Sequence, residues 1–224
     1  DEAEAVYRLA VDAFPKSYLA HYRLGMALYA QARDKEAIEQ FKRSSKLDKK
    51  KPAPHIGVGR AYLRMPKRRY DARTAFQRAD KLAPDDADIQ DYIGLTFANN
   101  LGKRREYGVD GRRYFRKALE LDPQHSNAHY HPGLTYDQSP GRNYKKAIPH
   151  YFNQLLTVPD HAEALDRLVQ CLIKTDQYGE GVDMVNQIGI LPGSEKNSKF
   201  EIYRGQLYAV VLQQKENDFS EAYE

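Results

Sequence analysis

The chain has a single cysteine, Cys171, among its 224 residues. An intrachain disulfide is therefore impossible, and cysteine usage neither indicates nor excludes an oxidising compartment. No apolar run approaches the roughly 20 residues that a membrane-spanning helix needs. No secretory signal opens the sequence, although this absence carries little weight in a chain that starts on Asp1 rather than methionine. Low-complexity segments are missing too. So are the H-E-x-x-H, G-x-S-x-G, P-loop and C-x-x-C patterns, which removes the readable signatures of zinc hydrolysis, serine hydrolysis, phosphate cradling and thiol redox chemistry. Charge of one sign is not in large excess: 35 Lys and Arg against 31 Asp and Glu leave +4, too mild to imply nucleic acid by itself. Cys171, between Gln170 and Leu172 on an expected helix, reads as a buried inert thiol, because a reactive one needs an accessible electropositive setting.

What the chain does have is a repeat. Ala3, Tyr7, Ala10 and Pro15 are spaced A-x3-Y-x2-A-x4-P. The ladder returns as Ala37, Phe41 and Ser44, as Ala72, Phe76, Ala79 and Pro84, as Gly111, Phe115, Ala118 and Pro123, and as Ala147, Tyr151, Gln154 and Pro159. A second ladder precedes each full copy: Leu24-Gly25 with Leu28, Val58-Gly59 with Tyr62, Ile93-Gly94 with Phe97, and Pro132-Gly133 with Tyr136. Helical glycine costs about 1 kcal/mol relative to alanine, so four in register signal a packing need. They are expected to leave room for a neighbouring helix backbone, while Phe41, Phe76, Phe115 and Tyr151 fill the space between units. Pro15, Pro84, Pro123 and Pro159 stop the second helix of each unit.

Together the ladders resemble the tetratricopeptide repeat (TPR) family, whose unit is a helix–turn–helix of 34 residues. The resemblance covers nearly the whole chain. It implies an all-α fold, a right-handed superhelical solenoid of antiparallel helix pairs, acting as a non-catalytic protein–protein interaction scaffold. The expected helices are Ala3–Phe14, Ala20–Ala32, Lys35–Leu47, Ala53–Leu63, Tyr70–Leu82, Ala87–Leu101, Asp110–Leu121, Asn127–Tyr136, Tyr144–Thr157, Ala162–Lys174, Tyr178–Ile188 and Lys199–Gln213. A further second helix is expected to begin near Asp218-Phe219-Ser220-Glu221-Ala222. Residues 1–17 then form the second helix of an incomplete repeat, 18–195 five repeats of which the fifth is degenerate, and 196–224 another incomplete one. Both ends fall inside a repeat, as expected of a piece of a longer protein. The uncapped terminal helices also suggest self-association.

In the TPR family ligands lie along the groove lined by first helices. Helical phase opposite the glycine ladder selects Tyr22, Arg23, Met26 and Tyr29 in the first full repeat and Arg60 and Arg64 in the second. It selects Asp91, Tyr92 and Asn99 in the third, Tyr130, His131 and Gln138 in the fourth, and Arg167, Gln170 and Lys174 in the fifth. Tyr and Arg are the residue types that most often carry interface energy, and a peptide or partner helix of mixed charge suits this lining. Some TPR modules clamp a chaperone's terminal carboxylate. Tyr22, Met26, Gly57, Asp88 and Tyr92 stand where that clamp needs Lys, Asn or Arg, which excludes it here.

The turns inside the repeats are long relative to the step from Gly25 to Ala37. Gly59 to Ala72 is one residue longer, Gly94 to Gly111 five longer and Gly133 to Ala147 two longer. They carry Lys67, Arg68 and Arg69, Lys103, Arg104 and Arg105, Arg112 and Arg113, and Arg142, Lys145 and Lys146, a set that stacking would align as a basic edge. Nucleic acid or an anionic surface is the alternative partner this edge offers, and cations after helix C-termini also serve simply to offset the helix dipole. An accessory array of a larger enzyme is a third reading.

His21, His55 and His129 occupy the slot of a large aromatic and read as packed rings. His125 and His129 are four apart but lack a third ligand, so no metal and no cofactor is expected. Pro132 and Pro149 fall inside expected helices of the fourth repeat and predict an irregularity near Tyr130 and His131.

Overall fold

The computed structural model describes residues 2–98, 106–127, 129–138 and 141–221. Among the described residues there are twelve α-helices and no strand. The chain forms two compact units, Asp1–Asn99 and Asn100–Glu224.

The first unit contains α1 (Glu2–Ala13), α2 (Tyr18–Ala30), α3 (Asp34–Leu47), α4 (Ala53–Arg64), α5 (Arg69–Asp80) and α6 (Ala87–Ala98). Each packs on the next, and α2, α4 and α6 also touch in turn, so the first helices share one layer. Local chemistry sets the ends. The Ser17 hydroxyl accepts from the Ala20 N–H at 3.3 Å and starts α2, as the Asp86 carboxylate does for Ile89 at 3.1 Å. Pro15 and Pro84 follow the last turns of α1 and α5. The tight turns within pairs need a left-handed residue, supplied by Ala32 (φ 60°) and Lys67 (φ 64°).

The core is built of rings seated on glycine. Phe41 and Phe76 are buried to 1% and 0% exposure. A Cβ at Gly25 would lie 2.7 Å from the Phe41 ring, one at Gly57 2.8 Å from the same ring, and one at Gly59 2.5 Å from Phe76. The glycines therefore make room for an aromatic side chain, not for a helix backbone as the spacing suggests. His21 is a packed ring with a polar task. Its Nε2 lies 3.1 Å from the Pro15 carbonyl oxygen and its Nδ1 2.8 Å from the Gln40 amide. Gln90, six residues after Pro84 as His21 is after Pro15, likewise donates to the proline carbonyl at 3.4 Å.

The second unit contains α7 (Glu106–Leu121), α8 (Tyr130–Asp137), α9 (Tyr144–Thr157), α10 (Ala162–Lys174), α11 (Tyr178–Gly189), a 3-10 turn (Ser194–Lys196) and α12 (Phe200–Glu221). One apolar cluster runs through it, from Tyr151 and Leu155 through Leu165, Leu168 and Leu172 to Val185, Ile188 and Phe200. A Cβ at Gly133 would lie 2.5 Å from the Tyr151 ring, and one at Gly189 2.8 Å from that of Phe200.

Three expectations change here. First, α8 starts at Tyr130 instead of Asn127. Gln154, buried at the slot where other copies hold Ala or Ser, supplies the missing partners. Its Oε1 accepts from the Tyr130 N–H at 2.9 Å and its Nε2 donates to the Ser126 carbonyl. Pro132 then falls in the first turn, where a missing N–H is harmless, and α9 passes through the exposed Pro149. Second, α7 begins at Glu106, before the expected Asp110. Third, α12 runs unbroken to Glu221, so no second helix starts at Asp218.

Gly59 and Gly205 both lie inside helices, yet among the described residues no atom beyond the local helix backbone lies within 4 Å of a Cβ built on Gly205. Gly59→Ala is expected to destabilise by about 1–3 kcal/mol through overpacking, and Gly205→Ala to stabilise by up to about 1 kcal/mol. Paired urea melts will show opposite signs.

Candidate functional site

In the first unit the structure gathers four of the groove residues. Tyr29 on α2, Arg60 on α4 and Tyr92 on α6 form a ladder across three first helices. The Arg60 guanidinium lies 5.1 Å from the Tyr29 ring centroid and 5.9 Å from that of Tyr92. Arg64 stacks on the same Tyr29 at 4.4 Å and donates to the Tyr29 carbonyl oxygen at 2.9 Å, with Asp34 3.5 Å away. Tyr92 is itself stacked on Phe76 at 5.1 Å and 10°. Burial raises its phenol pKa, with Arg60 opposing. A cation held over rings is attracted by their negative faces, by about 0.5–1 kcal/mol when exposed. Arg60 makes no ion pair among the described residues, so its charge remains available.

The other first-unit residues are less alike. Tyr22 is half-buried against Phe41 at 5.8 Å and forms floor. Arg23 is exposed and Met26 half-buried. Asp91 is 3% exposed and presents little surface. Asn99 lies outside the described residues.

In the second unit Gln138, Arg167, Gln170 and Lys174 line one cleft of ≈ 390 Å³ between α8, the start of α9 and α10. Arg142 joins them, as do Asp137, Tyr144, Cys171 and Ile173. Sequence phase misses Asp137, because no local signal says that the last residue of α8 turns inward. Its carboxylate is 6% exposed and accepts from Arg167 Nη1 at 3.1 Å. Burial raises its pKa, while Tyr151 and Arg167 oppose the rise. The Tyr151 hydroxyl stands beside this carboxyl, but neither it nor Asp137 Oδ1 makes a hydrogen bond of regular geometry. Tyr130 and His131 do not line the cleft. Tyr130 packs at 5.8 Å on Tyr151 and 4.7 Å on His161, and His131 at 5.5 Å on Phe115.

Residues 1–52 match a family model described as tetratricopeptide repeat. Solved structures extend the likeness. The chain superposes on YrrB, titled a TPR protein with an unusual peptide-binding site, with a TM-score of 0.57 at 13% identity, over 89% of this chain and 97% of that one. It superposes on TTC0263, a thermophilic TPR protein of Thermus thermophilus, with 0.62 at 18% identity, over 88% and 100%. Residues 1–52 thus carry the tetratricopeptide repeat signature, and the chain as a whole has the fold of tetratricopeptide repeat proteins. PilF of Pseudomonas aeruginosa has the same fold, with a TM-score of 0.65 at 19% identity over 90% of this chain and 88% of that one. At such identities the likeness concerns the fold alone. No curated protein matches the sequence. Among the described residues, no helix is long and apolar enough to cross a membrane.

The basic residues do not behave as one set. Lys103, Arg104 and Arg105 lie outside the described residues. Arg68 pairs with Asp71 at 2.6 Å and stacks on Tyr62 at 4.8 Å, while Lys67 is exposed and Arg69 half-buried. Arg112 and Arg113 lie inside α7, as they do inside the expected helix Asp110–Leu121, and so are not turn residues. Arg112 stacks on Tyr136 at 4.5 Å, and Arg113 donates to the Tyr114 hydroxyl at 2.8 Å. Arg142 is exposed and donates to the Tyr144 hydroxyl at 3.1 Å. Lys145 and Lys146 are exposed in the first turn of α9, the end where a helix dipole disfavours cations.

Two histidines accept backbone hydrogen bonds at helix starts and turns. His161 caps α10, its Nδ1 accepting from the Ala164 N–H at 3.2 Å, and His125 Nδ1 accepts from the Asn127 N–H at 3.4 Å. His150, not singled out by the sequence, stacks on Tyr136 at 5.4 Å. Burial lowers its pKa to about 4, helped by nearby His129 and Arg112.

Cys171 is 1% exposed and burial pushes its thiol pKa up to about 12. Ellman's reagent at neutral pH is expected to label it only after unfolding. A depressed histidine pKa favours folding above the unfolded value near 6.5, and that contribution is lost as pH falls toward about 4. His150→Phe is therefore expected to remove on the order of 1 kcal/mol of acid sensitivity between those values, discounted for partial exposure, as read from urea melts across pH.

Proposed function

We propose that this chain is a non-catalytic interaction scaffold that takes an extended peptide or a partner helix on the first-helix face of its repeats. The fold supports a protein-interaction role, and its members are in general non-catalytic. The observation that carries the finer reading is the Tyr29–Arg60–Tyr92 ladder. It sets an uncompensated cation between two rings on three successive first helices. Side chains already held in place lose less freedom when a partner docks, so more of the contact energy appears as affinity. YrrB, a TPR protein with an unusual peptide-binding site, shares this fold. The division into five repeats over 18–195 with partial ones at 1–17 and 196–224 belongs to the same proposal.

The basic edge is the weaker reading. Arg68, Arg112 and Arg113 are occupied by their own carboxylate or aromatic neighbours. Phosphate binding would also weaken steeply between about 50 and 200 mM salt.

The test compares wild type with Arg60→Ala and with Tyr29→Ala/Arg60→Ala as bait for captured proteins and peptides, with nuclease present and at moderate salt. Arg60→Ala is expected to weaken capture about ten-fold or more, the loss of roughly 1.4 kcal/mol that defines an interface anchor. Undiminished capture by the double variant would sink the reading.

A further inference from the structure

The second unit's cleft carries an excess of positive charge that its own residues do not use. Three cations and one carboxylate line it: Arg142, Arg167 and Lys174 against Asp137. Arg167 is engaged by Asp137 at 3.1 Å. Among the described residues Arg142 donates to the Tyr144 hydroxyl alone, which accounts for one of its five N–H donors. Lys174 is exposed and makes no ion pair among the described residues. Two cations without an ion-pair partner among the described residues thus line a concave site, where low-dielectric walls concentrate their field.

The rest of the lining narrows the ligand. Ile173, 42% exposed, and the Tyr144 ring offer apolar wall beside the cations, which suits a methylene stem carrying an anionic head. Asp137 is taken up by Arg167, so the remaining charge of the cleft is positive and suits an anionic group. The ≈ 390 Å³ of space falls at the small end of ligand sites and fits a side chain or two, not a whole domain. We propose that this cleft receives a glutamate or aspartate side chain of an extended acidic peptide, with Arg142 and Lys174 donating to its carboxylate. The proposal rests on the chain being a peptide binder, but it uses none of the ladder residues of the first unit.

The test uses a fluorescein-labelled peptide of alternating glutamate and leucine, its glutamine counterpart and its phosphoserine counterpart. Fluorescence polarisation is read with wild type, Arg142→Gln/Lys174→Gln and Arg60→Ala. Both replaced side chains are exposed, and thermal melts will establish that the variants are folded. Wild type is expected to prefer the glutamate peptide over the glutamine peptide by about ten-fold or more, as charge-assisted hydrogen bonds to a carboxylate require. The double variant is expected to lose that preference. Equal binding of the two peptides, a preference that survives in the double variant, or no measurable binding of the glutamate peptide overturns the proposal. Stronger binding of the phosphoserine peptide overturns it too, in favour of a phosphate site. Loss of all binding in Arg60→Ala with the double variant unaffected would leave the ladder reading standing and this one refuted.

Discussion

The seating of an aromatic ring on glycine is the contact from which the rest of the structure follows. Phe41 lies between Gly25 of its own pair and Gly57 of the next, so one side chain ties three helices together. Dispersion between a flat ring and bare backbone is available only where no Cβ intervenes. The loss of helix propensity at each glycine is offset by a fully buried ring. Because each ring reaches only its neighbours, stability in such an array accumulates link by link. Layering of α2, α4 and α6 is a by-product of this arrangement, and it is what brings Tyr29, Arg60 and Tyr92 within reach of one another.

Much of this is legible in the sequence because the repeat multiplies a weak signal. One A-x3-F-x2-A pattern says little, but several in register fix the helix pairs, and most helix ends fall within two residues of their expected places. The departures have local causes that periodicity does not encode. Gln154 looks like a degenerate alanine until its amide is seen to serve the start of α8. The glycines identify a close approach but not what approaches, since a backbone and a ring leave the same trace in a one-dimensional pattern. The unbroken α12 shows the limit of extrapolation. Analogy with earlier units places a turn before Asp218, and nothing in the residues themselves compels it.

The candidate site is legible to a lesser degree. Helical phase selects side chains for one groove, and the structure groups Tyr29, Arg60, Arg64 and Tyr92 in the first unit and Gln138, Arg167, Gln170 and Lys174 in the second. Phase does not report depth, so it selects Asp91 although that residue is buried. It also cannot report contacts between elements, so it passes over Asp137 and leaves Arg142 on a basic edge when that side chain lines the cleft. Charge patterning has the same weakness. Arg112, which counts as free in the sequence, proves to be stacked on Tyr136, a neighbour on another helix.

The cap on α8 bears on how portable these units are. Tyr130 receives its first hydrogen-bond acceptor from Gln154, twenty-four residues downstream and on another helix. The same amide holds the Ser126 carbonyl of the incoming loop. A unit whose opening turn is completed by its partner helix is not a self-contained brick. Shuffled, grafted or circularly permuted between α8 and α9, it would lose the group that defines where its first helix begins, whereas α2, which carries its own Ser17 cap, would travel intact.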